Sequence, residues 1–364
     1  MIPVSVCLIV KNEEKNIEQC LRSVFAFTRD IIVVDTGSGD ATIEIAKRFT
    51  NKVFNFCWND SFSEARNFAL SKASQPYILI MDADEIFDQN TVNNLEVFCQ
   101  RNDNVAGRVI IRNLTSHNEV TSTEIVRVFR NDGDFMYKGR IHEQVIMKNG
   151  NIPVTCSTGI ILLHSGYLHE AIVLQNKIKR NVDLLEIELN EDPTNPYTWY
   201  QLGKTHYVNK NYLEAASTFQ SSIDLLAIQG VIPQYVSSLL VNYAYTLLNL
   251  KDFTHLFAII DTGIDLYPDF TDIYFIYGAA LLELKDIQYI DKIQEVFKYC
   301  IQLGEPDPSQ YETVVGVGSF RSYYNLGVFH EARGDKAEAI SYYKIAEEWN
   351  YTPAIERLKL LKTE

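Results

Sequence analysis

The chain has 364 residues, 46% of them hydrophobic and 22% charged, which is ordinary globular usage at a length that predicts two cores and excludes the disordered and fibrous classes. Forty-seven acidic against 33 basic residues leave a net charge of −14. That balance excludes broad attraction to nucleic-acid phosphates, and a bound nucleotide diphosphate would need a cation beside it. The six cysteines have no C-x-x-C or zinc-type spacing, so reduced structural thiols are expected. The apolar stretch ending at Val10 is too short to span a bilayer and has no basic leader, which predicts a cytoplasmic protein without a membrane segment.

Residues 4–10 (VSVCLIV) form a β-branched apolar run of the kind buried on both faces of a parallel sheet. Residues 13–26 carry helical spacing through Ile17, Cys20, Leu21 and Val24, and residues 31–34 (IIVV) give a second strand that ends at Asp35. Thr36-Gly37-Ser38-Gly39-Asp40 supplies a turn and a helix start, and Ile43 to Phe49 continue a helical face. A third strand is expected over 53–56, a helix over 64–73, and a fourth strand, Tyr77 to Met81, running straight into Asp82. This alternation predicts a parallel, doubly wound sheet with Lys11, Asp35 and Asp82 at the carboxyl ends of its strands, where such sheets bind ligands.

From about 105 to 163 the pattern becomes β-rich, and this stretch reads as the acceptor half of the same domain. Beyond Gly166 the chain turns helical, with a boundary helix at 168–190 and a break at Asp192-Pro193. Trp199, Leu202, Gly203, Ala215 and Phe219 match the small and large positions of a tetratricopeptide helix pair. Tyr323, Leu326, Gly327, Ala339, Tyr343 and Ala346 repeat those offsets, and weaker copies contain Ala244 with Pro268 and Gly278. The expected organisation is a catalytic domain over 1–167, a linker helix over 168–194 and an all-α repeat domain over 195–364.

Asp82-Ala83-Asp84 follows an apolar strand, so its carboxylates emerge at the sheet edge. Two carboxylates one residue apart can hold Mg2+ or Mn2+ while phosphate oxygens complete the shell, which would neutralise a diphosphate leaving group. Asp35 precedes a Gly-Ser-Gly turn and can accept from a base N–H or ribose hydroxyl, while Asp40 better fits the helix cap. No G-x-G-x-x-G follows the first strand and no G-x-x-x-x-G-K-[ST] occurs anywhere, so dinucleotide and P-loop readings lose their support. Arg66 either reaches phosphates or braces the acidic loop. In the acceptor half, Gly139-Arg140-Ile141-His142-Glu143 and Leu163-His164-Ser165-Gly166-Tyr167 each place a histidine at a strand end. His164 is expected to be a third metal ligand beside Asp82 and Asp84, and Glu143 the general base with His142 its rival.

Four motifs, VSVCLIVKNEE, IIVVDTGSGD, the run from Trp58 through Ala65-Arg66-Asn67, and YILIMDADE, together resemble the family-2 inverting glycosyltransferases of the GT-A fold over roughly residues 4–167. One departure is that Ser61 separates Asp60 from Phe62, where many relatives read D-F-S directly. The resemblance implies a UDP-sugar donor, a divalent cation and single displacement with inversion. Val10, Asn12, Glu13, Asp35, Arg66, Asp82, Ala83 and Asp84 would then line the donor site, with Asp35 on the uracil, Asp82 on ribose or metal and Asp84 on the metal. With its helical repeats the chain is similar to the peptide S-glycosyltransferases that modify glycocin bacteriocins, which implies transfer of a hexose to a peptide cysteine or serine cradled by the repeats. The competing readings are a glycosyltransferase of surface polysaccharide or lipid-linked glycan, and a tetratricopeptide scaffold with a vestigial sugar-nucleotide domain. No nucleic-acid partner is expected, and the exposed repeat faces leave a homodimer open.

Overall fold

The computed structural model describes residues 1–114, 120–165, 171–307 and 310–361. Gly166 and Tyr167, which close the second histidine cluster, and the expected 167/168 boundary lie outside them. The chain divides into two compact units, Met1–Pro193 and Thr194–Glu364.

The first unit opens with β1 (Val4–Val10), α1 (Ile17–Phe25), β2 (Ile31–Asp35), α2 (Thr42–Ala46), β3 (Val53–Asn55), α3 (Phe62–Leu70) and β4 (Tyr77–Ile80). Helix α1 starts four residues after Glu13, because Asn12 takes a left-handed backbone (φ 57°) and residues 13–16 form a turn in which the N–H groups of Asn16 and Ile17 donate to the Glu13 carbonyl. Helix α3 starts earlier than expected because Ser61 is its N-cap, its hydroxyl accepting from Glu64 N at 3.3 Å. Ser61, the departure from the D-F-S pattern, therefore has a defined job. The unit continues with β5 (Glu85–Phe87), α4 (Val92–Phe98), β6 (Ala106–Leu114), β7 (Val120–Arg130), β8 (Phe135–Lys138), β9 (Gln144–Met147), β10 (Thr155–Ser165) and α5 (Ala171–Glu191). The boundary helix expected at 168–190 is α5, and it belongs to the first unit.

One sheet runs in the order β3-β2-β1-β4-β7-β6-β10-β5. The pairs among β1, β2, β3 and β4 are parallel, β10 runs parallel to β6, and β7 and β5 run against their neighbours. The apolar runs are continuous because alternate residues feed two cores. Val6, Leu8, Val33 and Leu79 enter the core that contains α1 and α4, while Cys7, Ile32, Val34, Ile78 and Ile80 enter the core beneath α3 and β8. Each fully buried aliphatic side chain contributes roughly 1.5–3 kcal/mol.

The second unit is a row of helix pairs: α6 (Pro196–Val208) with α7 (Tyr212–Gln229), α8 (Val236–Leu250) with α9 (Phe253–Leu266), α10 (Thr271–Leu284) with α11 (Ile290–Leu303), and α12 (Phe320–Ala332) with α13 (Lys336–Glu347), followed by α14 (Thr352–Leu361). The small and large positions of the repeat meet across each pair. A Cβ on Gly203 would stand 2.5 Å from the Phe219 ring, on Gly278 2.7 Å from Phe297, and on Gly327 2.4 Å from Tyr343. Because Phe219 is fully buried, the ring cannot yield to an added methyl. Gly203→Ala is therefore expected to destabilise the repeat unit by about 1–3 kcal/mol in urea unfolding, even though alanine gains about 1 kcal/mol of helix propensity. Unchanged stability would refute this packing.

Candidate active site

The strand ends bring three loops together. Register pairs Val10 with Asp35 across β1 and β2, and Thr36 N donates to the Val10 carbonyl at 2.9 Å. Asn12 N donates to Ser38 Oγ at 2.9 Å, and Gly39 N returns a bond to Asn12 Oδ1 at 2.8 Å. The Asp35 carboxylate, 3% exposed, accepts from Gly37 N at 2.9 Å and Ser38 N at 3.0 Å. It is the brace of its own turn. Asp40 accepts from Thr42 N at 3.0 Å, a turn ahead of α2 rather than the expected cap, because Ala41 is the N-cap of that helix and no side chain caps it. Glu13 N donates to Thr42 Oγ1 at 2.7 Å. Burial raises the Glu13 carboxyl above its ordinary value, against the hydrogen bond from Asn16, and the charges of Asp84 and Asp82 raise it further.

Asp82 leaves β4 into the grip of two arginines. Arg66 Nη2 donates to its Oδ1 at 2.8 Å and Arg127 Nη2 to its Oδ2 at 2.7 Å. Burial pushes the Asp82 carboxyl up, but Arg127 and Arg66 outweigh it and hold it well below the carboxylate range. Arg66, in the Ala65-Arg66-Asn67 run of α3, also donates from Nε to Glu143 Oε1 at 2.5 Å. Its neighbour Asn67 locks β8, donating to the Tyr137 carbonyl at 2.9 Å and accepting from Tyr137 N at 2.8 Å. One turn of helix thus fixes the acidic loop and the loop that carries Glu143.

That second loop, 139–143, is bent by Gly139 (φ 101°) and His142 (φ 51°) and tethered to α5, where Glu188 accepts from Arg140 N at 2.8 Å. His142 is exposed, and the Glu143 side chain is 12% exposed. Arg66 therefore spans Asp82 and Glu143. The other histidine arrives through register, because β10 pairs with β5 at His164↔Glu85. This places His164 Nε2 3.0 Å from Asp84 Oδ2, and the hydrogen bond to Asp84 raises the imidazole above its ordinary value.

Of the three expected metal ligands, the fold brings Asp84 and His164 together and turns Asp82 towards the arginines. Among the described residues no three His, Cys, Asp or Glu side chains form a metal cluster. A carboxylate oxygen and an imidazole nitrogen 3.0 Å apart do match adjacent donors of an octahedral ion, which lie about 3 Å apart when each is about 2.1 Å from the metal. Asp84 and His164 thus suit a divalent cation as a pair.

Sequence reading missed Arg127, Glu85 and Tyr137. Arg127 Nη2 also reaches Glu85 Oε1 at 3.5 Å, and Glu85 Oε2 accepts from Asp82 N at 2.8 Å. Arg66 Nη1, Arg127 Nε and Tyr137 Oη are buried without hydrogen-bond partners, so the cluster is rich in donors behind Asp82. The available signal was an arginine inside the apolar run Ile125-Val126-Arg127-Val128-Phe129, a charge that a buried strand tolerates only with a carboxylate partner.

Burial lifts Glu85 from 4.5 to about 7, against the pull of Arg127. The folded state then holds a proton that the unfolded chain has released, so stability from this group falls as pH rises through that window and is level above it. Between pH 4.5 and 7, the stability difference is expected to move in favour of Glu85→Gln over the native protein by about 3 kcal/mol. Parallel stability curves for the two proteins across that range would contradict this.

Residues 5–167 match the family model described as Glycosyl transferase family 2, and residues 320–352 match that described as Tetratricopeptide repeat. Residues 5–167 thus carry a family-2 glycosyltransferase domain, and a tetratricopeptide repeat lies in the second unit. Among similar proteins, a TPR repeat-containing protein of Synechococcus elongatus is 30% identical over 56% of this chain and 52% of its own. The SPbeta prophage-derived glycosyltransferase SunS of Bacillus subtilis is 25% identical over 76% of this chain and 66% of its own. The lipopolysaccharide core biosynthesis glycosyltransferase LpsC of Rhizobium meliloti is 23% identical over 48% of this chain and 68% of its own. The chain spans 52% and 66% of the lengths of the first two relatives. Among the described residues no helix is long and apolar enough to cross a membrane.

Proposed function

We propose that the chain is a metal-dependent, inverting glycosyltransferase that moves a hexose from a UDP-sugar to a cysteine or serine of a peptide or protein, with the repeat unit binding that acceptor. The observation that carries this reading is the Asp82 carboxylate held by Arg66 and Arg127, which leaves Asp84 projecting beside His164 at the strand ends. Val10, Asn12, Glu13 and Ala83 line the nucleotide side, and Asp35 stiffens the turn that meets the base. A divalent cation held by Asp84 and His164 would supply neutralisation of the departing diphosphate.

The chain's own residues supply the rest. Glu143 takes the proton from the acceptor thiol or hydroxyl, and Arg66, bonded to its Oε1, fixes the direction of the other oxygen. A thiol acceptor asks less of that base, because its ordinary pKa is about 8.5. His142 is the rival base. Loss of transfer in Glu143→Gln with retention in His142→Gln would decide for Glu143.

The Bacillus subtilis relative supports a glycosyl-transfer reading, and the Rhizobium meliloti relative favours a second one, a glycan acceptor. The test is mass spectrometry of purified protein with Mn2+, a panel of UDP-hexoses and both acceptor classes. A hexose added to a cysteine or serine peptide supports the first reading, and addition to a glycan supports the second. Failure to bind any nucleoside diphosphate by calorimetry would sink both in favour of a scaffold.

A further inference from the structure

In the repeat unit, α6, α8, α10 and α12 pack side by side as the first helices of their pairs. The long connection between α11 and α12 does not stay at its own end of this row. Tyr311 stacks on Phe270, with ring centroids 4.3 Å apart and planes at 12°, and its hydroxyl donates to Asp269 Oδ1 at 2.7 Å. Glu312 meets Lys204 of α6 at 3.4 Å. Thr313 Oγ1 and Val314 N donate to the two oxygens of Asp272 on α10 at 2.6 and 2.9 Å. Four consecutive residues therefore reach from α10 to α6.

The ends of this loop are pinched. A Cβ on Gly318 would lie 2.0 Å from the Gly304 carbonyl carbon, and Glu305 accepts from Gly316 N at 3.0 Å and Ser319 Oγ at 2.6 Å. On the C-terminal side, Arg321 Nε and Ser322 Oγ of α12 donate to the carbonyls of Val315 and Val317 at 2.9 and 2.6 Å, so Tyr311–Val314 is the stretch that can lift while those anchors hold. The Asp272 carboxylate is fully buried, and its donors from beyond its own helix come from the loop. A buried carboxylate needs such donors. Tyr311 is also held edge-on by Tyr267, with ring centroids 6.0 Å apart, whereas the Glu312 hold is light, since its side chain is 55% exposed and exposed ion pairs contribute under about 1 kcal/mol.

An aromatic ring, a carboxylate, a hydroxyl and a backbone N–H offered in succession and met by different helices is the way short extended peptides are read. We infer that Tyr311–Val314 is a built-in occupant of a peptide-reading face, and that the face takes in its place a partner segment with an aromatic, an acidic and a hydroxyl residue in succession. The occupant masks the face. Phe270 receives the ring, Lys204 the carboxylate, and Asp272 the hydroxyl and backbone N–H. This inference stands whether or not the first unit transfers sugar.

The probe is a fluorescent peptide copying residues 310–315, titrated into the full chain by anisotropy. Lifting the occupant removes its competition, so Tyr311→Ala/Thr313→Ala is expected to bind the probe about tenfold or more tighter than the native protein. Adding Lys204→Glu should reverse that gain, and a probe with lysine in place of its glutamate should recover it. Equal affinity of native and released proteins, indifference to Lys204→Glu, or equal binding of a scrambled probe overturns the inference. Should circular dichroism show the double variant unfolded, Glu312→Lys, which alters one exposed side chain, replaces it. Glu312→Lys should bind the probe severalfold tighter than the native protein, and no gain overturns the inference.

Discussion

Asp84→Ala is expected to lower sugar transfer by about a thousandfold while leaving the first unit folded, since removing one group that stabilises transition-state charge costs about 10²–10³ in turnover. The fold tolerates the loss because the Asp84 side chain is 33% exposed and bonded to His164, so no buried charge is orphaned. The His164 pKa, raised by the Asp84 hydrogen bond, should fall back. Cation binding competes with the His164 proton, so Mn2+ affinity of the native protein should rise as pH climbs through the raised imidazole pKa. Calorimetric titration of Mn2+ at several pH values reads this without any turnover assay. Asp84→Ala should abolish both the binding and its pH dependence, and chelation should inactivate the native protein reversibly. Near-native turnover in Asp84→Ala would rule out the metal role.

The parts of the site that were legible in the sequence are those that local chemistry specifies. Runs such as VSVCLIV and YILIM can only be strands buried on both faces, so the position of Asp82 beyond a strand end followed directly. The cap expected of Asp40 did not form, because α2 starts one residue later with Ala41 as its N-cap, and Asp40 closes the preceding turn onto Thr42 N instead. What sequence reading could not supply was the register behind the pairings. Arg127, which it missed, lies beside Asp82 because β7 runs against β4, pairing Leu79 with Val128, whereas His164, expected beside Asp84 from its residue type and strand-end position, is carried there by the β10–β5 pairing. The Asp35 carboxylate turned out to brace Gly37 and Ser38, a local option that competes with ligand contact in any Asp-x-Gly turn. The repeat was readable because Gly203 and Gly327 must be small where Phe219 and Tyr343 cross them. The loop that returns to α6 carries no periodicity and left no such mark.

The arginine pair sets the second large effect. Arg127→Ala is expected to destabilise the first unit by about 3 kcal/mol, the low end for breaking a buried ion pair. It belongs at the low end because Asp82, 35% exposed, keeps Arg66 and some solvent, so most of the cost falls on Glu85, whose side chain is 4% exposed. Without Arg127, the counter-charge that pulls Glu85 down is gone, so Glu85 should hold its proton to higher pH and the variant should lose less stability at pH 5 than at pH 8. Glu85→Gln in the same chain removes the orphaned charge. The double variant should therefore be more stable than the sum of the single losses by about 1–3 kcal/mol, as expected for residues in one network. Arg127→Lys keeps the charge but loses the reach of the planar guanidinium, whose Nη2 meets both carboxylates, and should fall between native and alanine. Calorimetry across pH 5 to 8 separates these outcomes. A pH-independent loss in Arg127→Ala, with strict additivity to Glu85→Gln, would mean that Arg127 acts by packing alone and that Asp82 is positioned by Arg66.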